Sequence, residues 1–229
     1  MGAITVKYPV LLVNFKTYEN ATWPKSRHLA ECIMAARQKT GANIIASPQL
    51  FDLNPLSQSI PTFAQHIDPI TYGSNTGYAL PEAAKAAGAT GTLINHSEHK
   101  LAFSKIKKTM EAAKRAGLLV CICAPNTKEA KKIAKLKPDM IAVEPPELIG
   151  SGISVSKAKP EIISDSVKAI KAISPETHVL CGAGVSTGED VRKAIELGAE
   201  GCLVASAIVN SEDPETIILE MAGNLEAKK

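Results

Sequence analysis

The stretch from Leu118 to Glu144, LLVCICAPNTKEAKKIAKLKPDMIAVE, decides the fold. An apolar, β-rich run is followed by a segment whose apolar residues recur at helical spacing, and then by a second apolar run that ends in a carboxylate. Strand, helix and strand in that order make a crossover between parallel strands. The same alternation continues on both sides, with strand-like runs at PVLLVNF, ANIIAS, TFAQ and GTLINH before it and HVLCGAG and GCLVAS after it. Helix ends are marked in places. Pro81 starts and Gly88 stops a helix in PEAAKAAGAT, and Ser186-Thr187-Gly188-Glu189 has capping-box spacing ahead of DVRKAIELGAEG. In the second unit NPLSQSI leaves room only for a short helix. About eight such units with no leftover edge favour a closed (β/α)8 barrel over an open doubly wound sheet. No linker or composition shift divides the chain, so residues 1–229 form one α/β domain, somewhat shorter than the roughly 250 residues usual for this barrel.

Composition agrees with a globular chain: 45% hydrophobic and 21% charged residues exclude a mainly disordered or fibrous protein. The 26 basic and 23 acidic residues read as interspersed, and their net charge of +3 says little about partners. With 4% aromatics and no basic stretch interleaved with them, nucleic acid is not expected. The N-terminus carries no signal-like apolar stretch and no run approaches bilayer length, so the expectation is a cytoplasmic protein without a membrane partner. The five cysteines (Cys32, Cys121, Cys123, Cys181 and Cys202) are odd in number and mostly lie in apolar runs, which fits free thiols in a reducing cytosol. Cys121 and Cys123 share one side of a strand and read as core rather than metal ligands.

In such a barrel the chemistry sits at the carboxyl ends of the strands. The first run ends in Asn14-Phe15-Lys16, and strand alternation sends Asn14 and Lys16 to one side and Phe15 to the other. Lys16 either aims a cation inward or snorkels at a loop. The fourth run ends in Asn95-His96-Ser97-Glu98-His99, which looks like the start of a helical turn; a helix N-terminus disfavours imidazolium and would keep His96 neutral. A metal site built from His96, Glu98 and His99 has no third convergent ligand to support it. In the seventh run CGAGVST lacks the spacing of a dinucleotide loop, since Thr187 stands where a glycine is required. It remains a glycine turn able to offer N–H groups to an anion, as do the small residues Ala205 and Ser206 at the end of the eighth run. Finally, VEPPELIGSG (143–152) places Glu144 at the end of the sixth strand, before a segment bounded by prolines and glycines: a base beneath a lid.

Together NFK, NHSE and VEPPELIGSG resemble the motifs of the triosephosphate isomerase family, specifically its shorter archaeal-type branch, over essentially the whole chain. The resemblance implies a TIM barrel and a cofactor-free interconversion of dihydroxyacetone phosphate and glyceraldehyde 3-phosphate. It also implies Glu144 as the base, neutral His96 as the electrophile, Lys16 as the cation facing phosphate and enediolate, and Asn14 as a nearby hydrogen-bonding group. Backbone amides around Ile149, Gly150, Gly184, Ala205 and Ser206 would hold the phosphate, with Glu98 as a supporting acid. Gly73-Ser74-Asn75-Thr76-Gly77 resembles the loop that enters a neighbouring subunit, with Thr76 supporting the partner's site, so a homo-oligomer follows, dimer or tetramer. Glu147 and Cys181 replace aromatic residues of the longer branch, leaving open how the lid is latched. Two other classes stand beside this reading: a Schiff-base aldolase using Lys16 and a non-catalytic sugar-phosphate binder.

Overall fold

The computed structural model describes residues 6–145 and 160–225. The segment 146–159, which carries the expected lid with Glu147, Ile149 and Gly150, lies outside the described residues. Eight parallel strands are present at the expected places: β1 Val10–Asn14, β2 Asn43–Ser47, β3 Phe63–Ala64, β4 Gly91–Ile94, β5 Leu119–Ala124, β6 Met140–Val143, β7 His178–Cys181 and β8 Gly201–Val204. Their order is β2-β1-β8-β7-β6-β5-β4-β3, and an isolated parallel bridge between Ala46 and Thr62 brings the two ends of the sheet together into a nearly closed barrel. Parallel pairing throughout requires crossovers. Among the described residues these run through α1 (Ser26–Thr40), α2 (Leu53–Ser57), α3 (Pro81–Ala86), α4 (Phe103–Arg115), α5 (Thr127–Ala134), α6 (Pro160–Lys171) and α7 (Gly188–Glu196); α8 (Ser206–Val209) and α9 (Pro214–Gly223) follow β8.

Alternation along the strands sorts side chains into two layers. Val10, Leu12, Ile45, Phe63, Leu93, Cys121, Cys123, Met140, Ala142, Leu180 and Leu203 form the barrel interior. The intervening strand residues, such as Leu11, Val13, Ile44, Ile122 and Ile141, pack outward under the helices. The Phe63 ring takes up space that the barrel could not otherwise fill: a Cβ on Gly91 would stand 2.4 Å from it. All five cysteines are free and buried, as the apolar runs predict.

Two local expectations shift. The helix after β7 does carry a capping box, but Thr187 and Asp190 form it rather than Ser186 and Glu189. The Asp190 carboxylate also accepts the backbone N–H of Ser186, so the first turn starts one residue later than the spacing suggests. Residues 95–99 form a turn closed by His99 N–H to the His96 carbonyl, not the start of a helix, and α4 begins only at Phe103. The expected helix-dipole influence on His96 therefore has no helix to come from.

Candidate active site

The carboxyl ends of β1, β4, β6, β7 and β8 enclose a cavity of about 400 Å³ whose lining includes Asn14, Lys16, His96, Glu144, Gly182, Gly184, Ala205 and Ser206. Thus seven of the residues singled out from sequence come together in one place. A second cavity of about 330 Å³ adjoins it, sharing Asn14, Lys16 and His96 and adding Gln65, His66, Glu98 and His99.

Lys16 reaches the cavity by a different route from strand alternation. Its backbone is left-handed (φ 47°), so β1 ends at Asn14 and the chain turns sharply. Two inward side chains hold that turn. The Asn14 Oδ1 accepts the Lys16 N–H at 3.0 Å, and Gln65 Nε2 donates to the Lys16 carbonyl at 2.8 Å and to the Ser47 carbonyl at 3.0 Å. The Lys16 ammonium then lies 2.8 Å from Glu98 Oε1. Gln65 escaped the sequence reading because the short third run has no motif around it; its place at the end of that run was the available signal.

His96 is set by the turn that follows β4. Asn95, also left-handed (φ 61°), donates from Nδ2 to the Cys123 carbonyl at 2.9 Å and accepts the Leu101 N–H on Oδ1 at 2.9 Å, pinning both ends of the turn. The Glu98 backbone N–H donates to His96 Nδ1 at 3.2 Å. Glu98 Oε2 also lies 3.4 Å from Nδ1, but the shorter backbone contact makes Nδ1 an acceptor and assigns the ring proton to Nε2, which faces Glu144 Oε1 at 3.5 Å. Burial lowers the His96 pKa below its ordinary value; the Glu98 charge opposes this and Lys16 assists it. The side chain stays neutral for reasons of burial and a backbone donor.

Glu144 is 3% exposed at the end of β6. Burial raises its pKa to about 7, partly offset by hydrogen bonds from the Cys123 thiol and the Ser97 backbone and by the Lys16 charge. Cys123 therefore does more than fill core. A carboxylate poised near neutrality is suited to accept a proton from carbon. With Glu144 as the base that the sequence suggests, the reaction would need the ionised form, so kcat/KM is expected to fall about tenfold per pH unit below about 7 and to level off above it. Burial moves His96 the other way, favouring its neutral form. A pH–rate profile of the free enzyme checks this, and a flat profile between pH 5 and 8, values well inside the range covered by that argument, would contradict it.

Gly182 makes room for the Glu144 side chain. A Cβ there would lie 2.5 Å from Glu144 Cγ and 3.0 Å from the Val143 carbonyl oxygen, closer than atoms approach without displacement. Gly182→Ala is expected to push the carboxylate aside and lower kcat about ten- to a hundredfold with KM little changed, as steady-state kinetics on the folded variant would measure. Gly184, left-handed at φ 68°, and the Ala205-Ser206 pair line the same cavity at the ends of β7 and β8. Among the described residues no group of three or more His, Cys, Asp or Glu side chains could hold a metal ion, and His96 and His99 do not converge on one: His99 instead stacks on His66, ring centroids 4.2 Å apart.

Comparison with known proteins agrees with this geometry. A family model described as triosephosphate isomerase matches residues 9–221. Curated proteins named triosephosphate isomerase include one from Methanothermus fervidus, 45% identical over 93% of this chain and 97% of its own length. Another from Methanobrevibacter smithii is 42% identical over 95% and 99%. A crystal structure of triosephosphate isomerase from Bartonella henselae superposes with a TM-score of 0.71 at 19% identity, covering 92% of this chain and 96% of that one, and so shares the fold. On the family match and these curated relatives, the chain belongs to the triosephosphate isomerase family, an enzyme family of isomerases.

Proposed function

We propose that the chain interconverts dihydroxyacetone phosphate and D-glyceraldehyde 3-phosphate through an enediolate, without a cofactor. The observation that carries this mechanism is the Glu144 carboxylate facing His96 Nε2 at 3.5 Å across a cavity that also holds Lys16. Glu144 removes the proton alpha to the carbonyl. His96, donating from Nε2, polarises that carbonyl and passes a proton between the two oxygens as the double bond moves. The Lys16 ammonium offsets the phosphate and the developing oxyanion, and Asn14 hydrogen-bonds nearby. The phosphate sits against backbone N–H groups of Gly184, Ala205 and Ser206, with Ile149 and Gly150 assigned to the same task by resemblance alone. Glu98 supports the site through its bond to Lys16 and its N–H to His96.

The aldolase alternative is less well supported. An amine nucleophile needs an apolar setting, whereas the Lys16 ammonium is paired with a carboxylate. A coupled assay with glyceraldehyde 3-phosphate tests the proposal, and borohydride trapping with a carbonyl substrate would reveal a Schiff base. No turnover in the assay together with a trapped adduct would replace the isomerase mechanism with the aldolase one.

A homo-oligomer, dimer or tetramer, fits the surface around the site. The loop bearing Thr76 is exposed and anchored at its base, where Asp68 accepts the Ala79 N–H on Oδ2 and donates its own N–H to the Ala79 carbonyl. Tyr72, Tyr78 and Phe51 stand out to solvent near it in the same set of strand-end loops, with Phe51 92% exposed. We place the protein in the cytoplasm, a setting consistent with five free cysteines. No helix among the described residues is long and apolar enough to cross a membrane.

A further inference from the structure

The whole-chain charge of +3 hides an uneven distribution, which corrects the reading of evenly mixed charges. Residues 100–137 hold eleven of the chain's 26 basic residues and only two of its 23 acidic ones, so this segment is net +9 and the remainder of the chain net −6. The fold spreads that segment over one wall. β4, β5 and β6 are neighbours in the sheet, so α4 and α5 lie side by side on the outside of the barrel, tied at one end by Lys114 Nζ donating to the Lys137 carbonyl at 3.2 Å. Lys107, Lys108 and Lys114 on α4, Lys128 and Lys131 on α5 and Lys135 at its C-cap are exposed. Three cations of the segment are neutralised: Lys105 by Asp68, Arg115 by Glu82 and Lys132 by Glu129. The other eight have no carboxylate partner among the described residues.

Six exposed cations without carboxylate partners on two neighbouring helices repel one another, a cost that a bound polyanion would offset. We propose that the α4–α5 wall is a docking surface for the phosphodiester backbone of a nucleic-acid duplex, bound without regard to sequence. Charge density favours this partner. A helix of α4's 13 residues is about 20 Å long, and a duplex presents about one phosphate charge per 1.7 Å, so about twelve phosphates span the length over which these cations are spread. Residue type fits as well: ten of the eleven cations are lysine, which serves as a point charge to phosphate, and the face has no row of aromatic side chains for stacking on bases.

The other occupants fit less well. A second copy docking through the same wall would bring two cationic faces together. A copy offering the acidic stretch 189–220 has few free carboxylates to give: Glu189 and Glu196 are paired with Arg192, Glu215 with Lys39, and Glu200 with Lys171 and His178. Of the large exposed apolar side chains, only Phe103 belongs to these two helices, so a bilayer would find little to bury.

The test measures binding of a labelled duplex of about two dozen base pairs by fluorescence anisotropy as salt is varied. With about five phosphates engaged, log Kobs against log[salt] should slope near −4.5, a loss of several hundredfold between about 50 and 200 mM salt. Neutralising Lys107, Lys108, Lys128 and Lys131 together to Gln should reduce that slope by about 3 to 4 and weaken binding at low salt at least tenfold. Isomerase turnover should be unchanged, since none of the four touches the active site. A control variant with Lys25, Arg27, Lys39 and Lys193 changed to Gln removes the same charge elsewhere and should keep most of the binding. The proposal is overturned if the duplex does not bind at low salt, or if the control variant loses as much as the first. Capture by phosphatidylserine vesicles without duplex binding would point to a membrane surface instead. Salt-sensitive self-association without duplex binding, seen by sedimentation, would point to a second copy. Both results would likewise overturn it.

Discussion

Glu144→Asp lowers kcat at least about a hundredfold while KM stays within a few fold. The substitution keeps the charge and the buried setting but withdraws the carboxylate by about one methylene, and a proton is transferred from carbon only over a short, well-aligned gap. Two features of the site sharpen the effect. Oε1 now lies 3.5 Å from His96 Nε2, and the carboxylate is held by the Cys123 thiol and the Ser97 backbone, contacts that a shorter side chain does not make at the same position. In the proposed mechanism phosphate binding rests on other residues, which is why KM is expected to change little. The check is steady-state kinetics in both directions together with a circular dichroism spectrum showing the fold intact. Near wild-type kcat would remove Glu144 from the role of base.

Lys16→Met should leave a folded protein that binds phosphorylated enediolate mimics about a hundredfold more weakly or worse. Losing one partner of a desolvated charge-assisted contact costs about 3 kcal/mol or more, enough for that factor. Among the described residues Lys16 is the cationic side chain that lines the site cavity. In the proposed mechanism its removal leaves the substrate phosphate without its cation, while Glu98, which loses its 2.8 Å partner, stays in contact with solvent. Methionine preserves the length and packing of the stem, so charge rather than shape is being tested. The backbone turn should survive, because Asn14 and Gln65 grip the main chain at Lys16 and not its side chain. Isothermal titration with the mimic decides the matter: undiminished affinity would assign Lys16 to a loop cation with no part in binding.

The architecture was legible because it depends on short-range pattern. Each apolar run between Val10 and Val204 became a strand at its expected position, since β-branched and apolar runs bounded by helical spacing leave few other arrangements. Pro81 and Gly88 mark their helix for equally local reasons, with Gly88 at φ 98° beyond the last turn. Motif residues at strand ends were also legible, because the barrel brings all such ends to one mouth, and Asn14, Lys16, His96 and Glu144 do share one cavity.

What sequence alone could not supply was the reason each group behaves as it does, because those reasons come from residues distant in the chain. Spacing suggested a helix N-terminus to keep His96 neutral. The structure has a turn there, and neutrality arises from burial and from the Glu98 N–H. Strand alternation sent Lys16 inward, whereas a left-handed turn held by Gln65, 49 residues away, delivers it. Glu144 is raised to about 7 by burial, against the opposing Cys123 thiol on β5, a balance that no local pattern names. The sequence by itself thus determined the barrel and the chemical identities at its mouth, for strand and helix preferences act over a few residues. Only the tertiary structure decided protonation states and the conformation of Lys16, because electrostatics and packing act through space between segments that the chain keeps apart.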